Sequence, residues 1–276
     1  MLGEPMDNLK YLNDIQLVFI IDENERPDFP IQILQKMPNL TKLTIHHCSW
    51  LEVFQTQIPE IVEKRVLTHL KSLRLNGVSK LQSIGSEDSP WLNLLCDSEK
   101  LQHLEVVNCP DLKTLVHFTP SPSVSFKHVK EMYIANCQDM KYLFTLQAVN
   151  NLENLEYIEV NNCESMEAIV LKVEDDKEIQ LQRLKHIDLN HLSSLKCFYS
   201  GDATLQLPSL IQVDIWMCPK MEFFSRGRIQ LNSSFRGIEA LNVSRDELVF
   251  YLDLNSSVKK VFLQQVILNQ LIMTLV

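Results

Sequence analysis

The sequence predicts an α/β solenoid: a curved stack of similar coils, with a parallel β-sheet on the concave face and irregular loops and short helices on the convex face. Three observations predict it. A six-position apolar pattern recurs seven times along the chain. Its third and fifth steps have the two-residue alternation of a strand. Each copy is too small to bury its own apolar face, so neighbouring copies must share one core.

The pattern is an apolar residue followed by others three, five, eight, eleven and fourteen positions on, with Cys favoured at eight. It reads Leu40, Leu43, Ile45, Cys48, Leu51, Phe54, and then Leu70, Leu73, Leu75, Val78, Leu81, Ile84. The next copies are Leu101, Leu104, Val106, Cys109, Leu112, Leu115 and Val129, Met132, Ile134, Cys137, Met140, Leu143. Leu155, Ile158, Val160, Cys163, Met166, Ile169 is the fifth, and Leu184, Ile187, Leu189, Leu192, Leu195, Phe198 the sixth. The seventh is Leu210, Val213, Ile215, Cys218, Met221, Phe224. Starts lie 26 to 31 residues apart. Weaker copies flank the set: Leu12, Ile15, Leu17, Ile20 before it, and Ile238, Leu241, Val243 and Val258, Val261, Leu263, Val266 after it. The expectation is one domain over 1–276 with about ten coils, strongest over 40–224 and weaker over 8–39 and 225–276.

Each coil starts with a short strand, and strands one coil apart pair in parallel about 4.8 Å apart. The chain then turns inward at the Cys position. The return segments are less regular. Pro30–Lys36, Trp91–Cys96 and Leu146–Asn150 look like single helical turns, while Gly85–Pro90 and Pro120–Ser123 look like loops, and the acidic stretch Glu174–Glu178 like a solvated one. The apolar tail Val261–Val276 either folds back as the cap for the last core layer or leaves that layer uncapped.

This spacing, with Cys at its Asn/Cys position, matches the leucine-rich-repeat signature. The phrases Leu101-Gln102-His103-Leu104-Glu105-Val106-Val107-Asn108-Cys109-Pro110 and Leu155-Glu156-Tyr157-Ile158-Glu159-Val160-Asn161-Asn162-Cys163 carry a closer resemblance. So does Phe29-Pro30 leading into Met37-Pro38-Asn39-Leu40. From about Asn8 to about Leu263 the chain resembles the repeat domain of plant coiled-coil nucleotide-binding leucine-rich-repeat disease-resistance proteins. It departs from a full receptor of that kind in lacking a Gly-x-x-x-x-Gly-Lys-Ser/Thr phosphate loop. The resemblance implies a protein-recognition module for pathogen sensing and for autoinhibition of a nucleotide switch. Its implied partners are a pathogen effector, a guarded host protein or the nucleotide-binding module of a receptor. Two alternatives stand beside it. One is a substrate adaptor of a ubiquitin ligase, which needs an F-box helical module, and none precedes Leu12. The other is a truncated, non-functional receptor fragment.

Composition narrows the classes further. Hydrophobic residues make up 45% of the chain, ample for a continuous core, and the net charge is −9. Phosphate contacts require a Lys/Arg face, and no basic run is longer than the pairs Lys64–Arg65 and Lys259–Lys260, so the acidic balance argues against nucleic acid as partner. Met1–Lys10 has no signal-peptide character, and Val261–Val276 is too short and too rich in Gln and Asn to span a membrane. With 7 cysteines in no tight cluster, reduced thiols in the cytoplasm are expected.

No hydrolase elbow or zinc-helix motif is present, so neither catalysis nor a cofactor is expected. Cys48, Cys109, Cys137, Cys163 and Cys218 share a column with Val78 and Leu192, so they read as small apolar core groups rather than metal ligands. His46 and His47 lie beside Cys48, but Cys48 is expected to face inward and His46 the concave face.

The strand residues between the apolar positions are the candidate site. The first outward position holds Thr44, Arg74, Glu105, Tyr133, Glu159, Asp188, Asp214 and Asn242. The second holds His46, Asn76, Val107, Ala135, Asn161, Asn190, Trp216 and Ser244. Arg74, Glu105, Tyr133, Glu159, Asp188, Asp214 and Trp216 therefore form the expected protein-binding face. It is acidic toward the C-terminus, with Tyr133 and Trp216 as aromatic anchors.

Overall fold

Alternating burial along each short strand builds the molecule. Strands such as His103–Val107, Tyr157–Asn161 and Gln212–Trp216 bury their second and fourth residues and leave the first, third and fifth partly exposed. The computed structural model describes residues 15–20, 34, 37–48, 67–86, 100–117, 126–149, 151–172, 178–239 and 253–263. Nine strands form one parallel sheet in sequence order: Ile15–Ile20, Leu40–His46, Ser72–Asn76, His103–Val107, Glu131–Ala135, Tyr157–Asn161, His186–Asn190, Gln212–Trp216 and Gly237–Glu239.

The ladder is in register rung upon rung. Leu43, Leu73, Leu104, Met132, Ile158, Ile187 and Val213 are successive partners, as are Ile45, Leu75, Val106, Ile134, Val160, Leu189 and Ile215. All of these are at most 1% exposed, which makes the shared interior a continuous stack. Every position of the seven strong copies among the described residues is buried. Leu51 and Phe54 lie outside the described residues, as do Leu12, Leu241, Val243 and Val266.

The return segments are more strand than helix. Tyr142–Thr145, Ala168–Leu171 and Cys197–Tyr199 form a second parallel sheet, and Ile179–Gln180, Leu205–Leu207 and Ile229–Leu231 a third. These coils are thus three-sided, with sheet around a common core. The runs are β-branched and aromatic (Ile169, Val170, Phe198, Tyr199), which suits strand rather than helix. Gly85–Ser86, expected as loop, pairs in parallel with Val116–His117. The expected helical turn at Leu146–Val149 is present. Of Pro30–Lys36 only Leu34 is described, and it is helical and buried. The segments 91–96 and 120–123, and all of Glu174–Glu178 except Glu178, lie outside the described residues.

The last described element, a helix over 254–263, stands where Val258, Val261 and Leu263 suggest a further coil. Spacings of three fit a helix face equally well, and the capping chemistry decides. Asp253 accepts a hydrogen bond from the Ser256 backbone N–H at 2.7 Å and one from its hydroxyl at 2.8 Å, as an N-cap residue does. Leu254, Val258 and Val261 are buried while Leu263 is 49% exposed. Asn255 caps the neighbouring coil: its Oδ1 accepts from the N–H groups of Phe224 and Ser225, and its Nδ2 donates to the Ser225 carbonyl at 2.7 Å. A side-chain amide thus satisfies backbone groups that a further strand would otherwise pair. The remainder of the apolar tail, 264–276, lies outside the described residues.

Candidate functional site

The sheet brings the first outward positions into one line. Val18, Thr44, Arg74, Glu105, Tyr133, Glu159, Asp188 and Asp214 are consecutive register partners. The line continues to Glu239, which pairs with Asp214, and not to Asn242. The eighth repeat is offset: Ile238 pairs with Val213, and Phe235 takes the place of Leu210 and packs on the core. Asn242 and Ser244 lie outside the described residues. On one side of this line run Ser72, His103, Glu131, Tyr157, His186 and Gln212, and on the other His46, Asn76, Val107, Ala135, Asn161, Asn190 and Trp216.

Two of the expected outward residues are covered. Thr44 is 8% and Ala135 4% exposed, because short side chains sink between longer neighbours on adjacent rungs. Arg74, Glu105, Tyr133, Glu159, Asp188, Asp214 and Trp216 all keep exposure on this face.

The charges change character along the line. Arg74 Nε pairs with Glu105 Oε1 at 3.2 Å, so the N-terminal part is locally neutral. Beyond Tyr133, neutral groups hold the carboxylates. The Tyr157 hydroxyl donates to Glu159 at 2.9 Å, Asn190 Nδ2 to Asp188 at 2.6 Å, and Gln212 Nε2 to Asp214 at 2.8 Å. Burial, then the charges of Glu159 and Asp214, lift Asp188 to about 6. Burial also raises Asp214. Burial and the neighbouring Glu159 and Glu105 raise the Tyr133 phenol. Trp216 ends the flank, its ring stacked on His191 with centroids 6.5 Å apart and planes 15° from parallel. Met217, the next residue, is 47% exposed.

The folded state therefore holds the Asp188 proton more tightly than the unfolded chain does. Ionisation of Asp188 opposes folding above about pH 6, and the penalty fades as pH falls into the ordinary aspartate range. Asp188→Asn is expected to stabilise the chain at neutral pH by about 1 kcal/mol, allowing for solvent screening of this half-buried group, and to leave stability near pH 4 unchanged. Urea midpoints at the two pH values measure it. A variant no more stable at neutral pH would show that the carboxylate is held without strain.

A second feature of the face escaped sequence reasoning. Among the described residues, the position after an inner strand adopts a left-handed conformation: His47, Gly77, Asn108, Asn136, Asn162, His191 and Met217 have φ between 51° and 69°. Asn and Gly tolerate this region best. Asn162 donates to Asn136 at 2.6 Å, Asn136 to Asn108 at 2.7 Å, and Asn108 to Asn76 at 2.8 Å. Their backbone N–H groups also donate to the following coil. This amide ladder borders the candidate face and fixes rung spacing there. The Asn-Cys pairs at 108–109, 136–137 and 162–163 are its signal in the sequence.

The cysteine column is core. Cys48, Cys109, Cys137, Cys163 and Cys218 are at most 1% exposed, and each thiol donates a weak hydrogen bond to the carbonyl two residues earlier. Burial pushes the Cys48 and Cys218 thiols up to about 12 and Cys109 to about 11, far from a reactive thiolate. Cys48 faces inward and His47 is exposed, so the His46–His47–Cys48 run does not converge. Among the described residues no group of three or more His, Cys, Asp or Glu side chains is arranged to hold a metal ion. No helix among them is long and apolar enough to cross a membrane.

The family model described as "Plant disease resistance protein RPS2-like, leucine-rich repeats" matches residues 9–121, 97–164 and 119–247. "Protein SUPPRESSOR OF npr1-1, CONSTITUTIVE 1" of Arabidopsis thaliana is 26% identical over 184 residues, 66% of this chain. That alignment spans only 10% of the relative's length. Among solved structures, the leucine-rich repeat domain of the type III effector XopL is 16% identical with a TM-score of 0.39, covering 73% of this chain and 72% of the other. An internalin from Listeria monocytogenes is 14% identical with a TM-score of 0.20, covering 87% and 89%.

Proposed function

The chain belongs to the family of plant disease resistance protein RPS2-like leucine-rich repeats, and on that premise we propose that it recognises protein through the exposed face of its nine-stranded sheet. The role is pathogen sensing in plant defence, within the cytoplasm. Its partner is a pathogen effector, a guarded host protein or the nucleotide-binding module of a receptor, the last being a switch that the repeats hold closed until ligand shifts the equilibrium.

The observation that carries this reading is the register of the outward line from Arg74 to Asp214. Six rungs present side chains of chosen charge and size on one rigid, regularly spaced surface, with Trp216 beside them. Sites built on strands are held more accurately than sites on loops. Aromatic residues flanked by polar groups are frequent centres of binding energy.

Co-expression with the nucleotide-binding portion of a related receptor tests it. Association is expected, and Tyr133→Ala with Trp216→Ala is expected to weaken it about tenfold or more. Absence of association with any such portion would remove the autoinhibitory role. Association indifferent to the two substitutions would move the interface elsewhere.

A further inference from the structure

The sheet face is not uniform, and its C-terminal third has a chemistry of its own. Glu159, Asp188 and Asp214 stand on three consecutive rungs, about 4.8 Å from one to the next. Their hydrogen-bond donors are Tyr157, Asn190 and Gln212, all uncharged. The cation of the same line, Arg74, is committed to Glu105. Lys185, near the edge of the sheet, is committed to Glu156 at 2.6 Å. Among the described residues no cation lies within ion-pair distance of the three carboxylates. Directly beside them the surface turns apolar. Trp216 follows Asp214 by two residues on the same strand face, leaning on His191, and Met217 is 47% exposed.

We propose that the face from Glu159 to Met217 docks a basic polypeptide segment, its lysine or arginine side chains over Glu159, Asp188 and Asp214 and an adjoining apolar side chain on Trp216 and Met217. The inference rests on the sheet face being a protein interface, and it names the partner's chemistry. Charge complementarity selects the occupant. An arriving cation relieves the mutual repulsion of carboxylates that are already half-buried, and the net charge of −9 attracts it from a distance. The apolar patch selects a polypeptide over a simple cation, because burying Trp216 and Met217 requires an apolar group at a fixed offset from the charges. The groups facing Asp188 are Glu159 and Asp214 on the adjacent strands and His186 and Asn190 on its own. Filling the site with cations therefore lowers the Asp188 pKa, and binding strengthens from about pH 5 to 7.

The probe is a fluorescein-labelled dodecapeptide of alternating lysine and alanine with one central phenylalanine, titrated by anisotropy against the full chain. Asp188→Asn with Asp214→Asn is expected to weaken binding about tenfold or more, and Trp216→Ala about tenfold. Asp139→Asn with Glu164→Gln, exposed outside this sheet, is expected to leave it unchanged. Circular dichroism melts confirm that each variant is folded. Carbodiimide coupling, which joins carboxylates to peptide lysines, is expected to map to Glu159, Asp188 and Asp214. Coupling spread over Asp139 and Glu164, or equal weakening by the control pair, overturns the proposal. Spermine that competes as strongly as the peptide, with no effect of Trp216→Ala, overturns the polypeptide assignment. A peptide that fails, while Tyr133→Ala with Trp216→Ala still abolishes association with the receptor portion, sinks the basic partner alone. Failure of both sinks the interface reading beneath it.

Discussion

Ile158→Ala is expected to destabilise the chain by about 2–5 kcal/mol, the range for truncating a buried branched aliphatic residue. Ile158 has no exposed surface and lies between Met132 and Ile187 in the inner row. The cavity cannot collapse readily. Relaxation would require adjacent strands to approach, and hydrogen-bonded ladders hold them on both sides. In a solenoid, stability is close to a sum of coil terms and nearest-neighbour interfaces. The loss therefore falls on two interfaces at once, and the array is expected to weaken in its middle. Urea denaturation measures the total. Hydrogen exchange at the amides of Tyr157–Asn161 and its two partner strands shows where it falls. A loss below about 1 kcal/mol would mean that the coils do not share a tightly packed interior.

That row was legible in advance because its signal is redundant. Leu43, Leu73, Leu104 and Ile158 obey one spacing, and a wrong spacing would expose them all. The acidic line was legible for the same reason, since an outward residue is fixed once its two inward neighbours are known. Legibility failed where one signal served two structures. Ala168–Leu171 and Cys197–Tyr199 are apolar runs of four and three residues, too short to separate strand from helix by period. Val258 and Val261, three apart, fit a helix face as well as a coil, and the Asp253 cap resolves it. Ile238, Leu241 and Val243 mimic the pattern three residues out of register, while Phe235 holds the true first position. The left-handed column was hidden for a different reason. One residue per coil with positive φ creates no periodic hydrophobicity, and His47, His191 and Met217 occupy it alongside Asn and Gly. The Thr44 and Ala135 positions show that facing outward and being available are separate properties: side-chain length relative to the neighbouring rungs decides the second.

Gly227→Ala is expected to destabilise by about 2–3 kcal/mol, through overpacking rather than loss of contact. A methyl group built on Gly227 would overlap the carbonyl oxygens of Asp202 and Ala203. These are backbone atoms of the preceding coil, and no side-chain rotation can relieve them. The two coils would have to separate locally. Their contact is a ladder in which Leu205, Gln206 and Leu207 pair with Ile229, Gln230 and Leu231, and the Leu205 N–H donates to the Arg228 carbonyl at 2.8 Å. Separation at Gly227 therefore strains the third sheet at its last rung. The strain also reaches the outward line, since the coil that ends in Ile229–Leu231 begins at Gln212–Trp216 and carries Asp214 and Trp216. Gly227→Ala is thus expected to lower the urea midpoint and to accelerate exchange at Leu205–Leu207 ahead of Tyr157–Asn161, a sub-global opening of the C-terminal coils. Arg226→Ala is the control. Its guanidinium sits 5.2 Å from the Phe223 ring centroid on an exposed surface, and its loss is expected to matter by less than about 1 kcal/mol. If the two variants prove equally stable, coils in this region are not in backbone contact, and the close packing that positions Asp214 and Trp216 as one surface is absent.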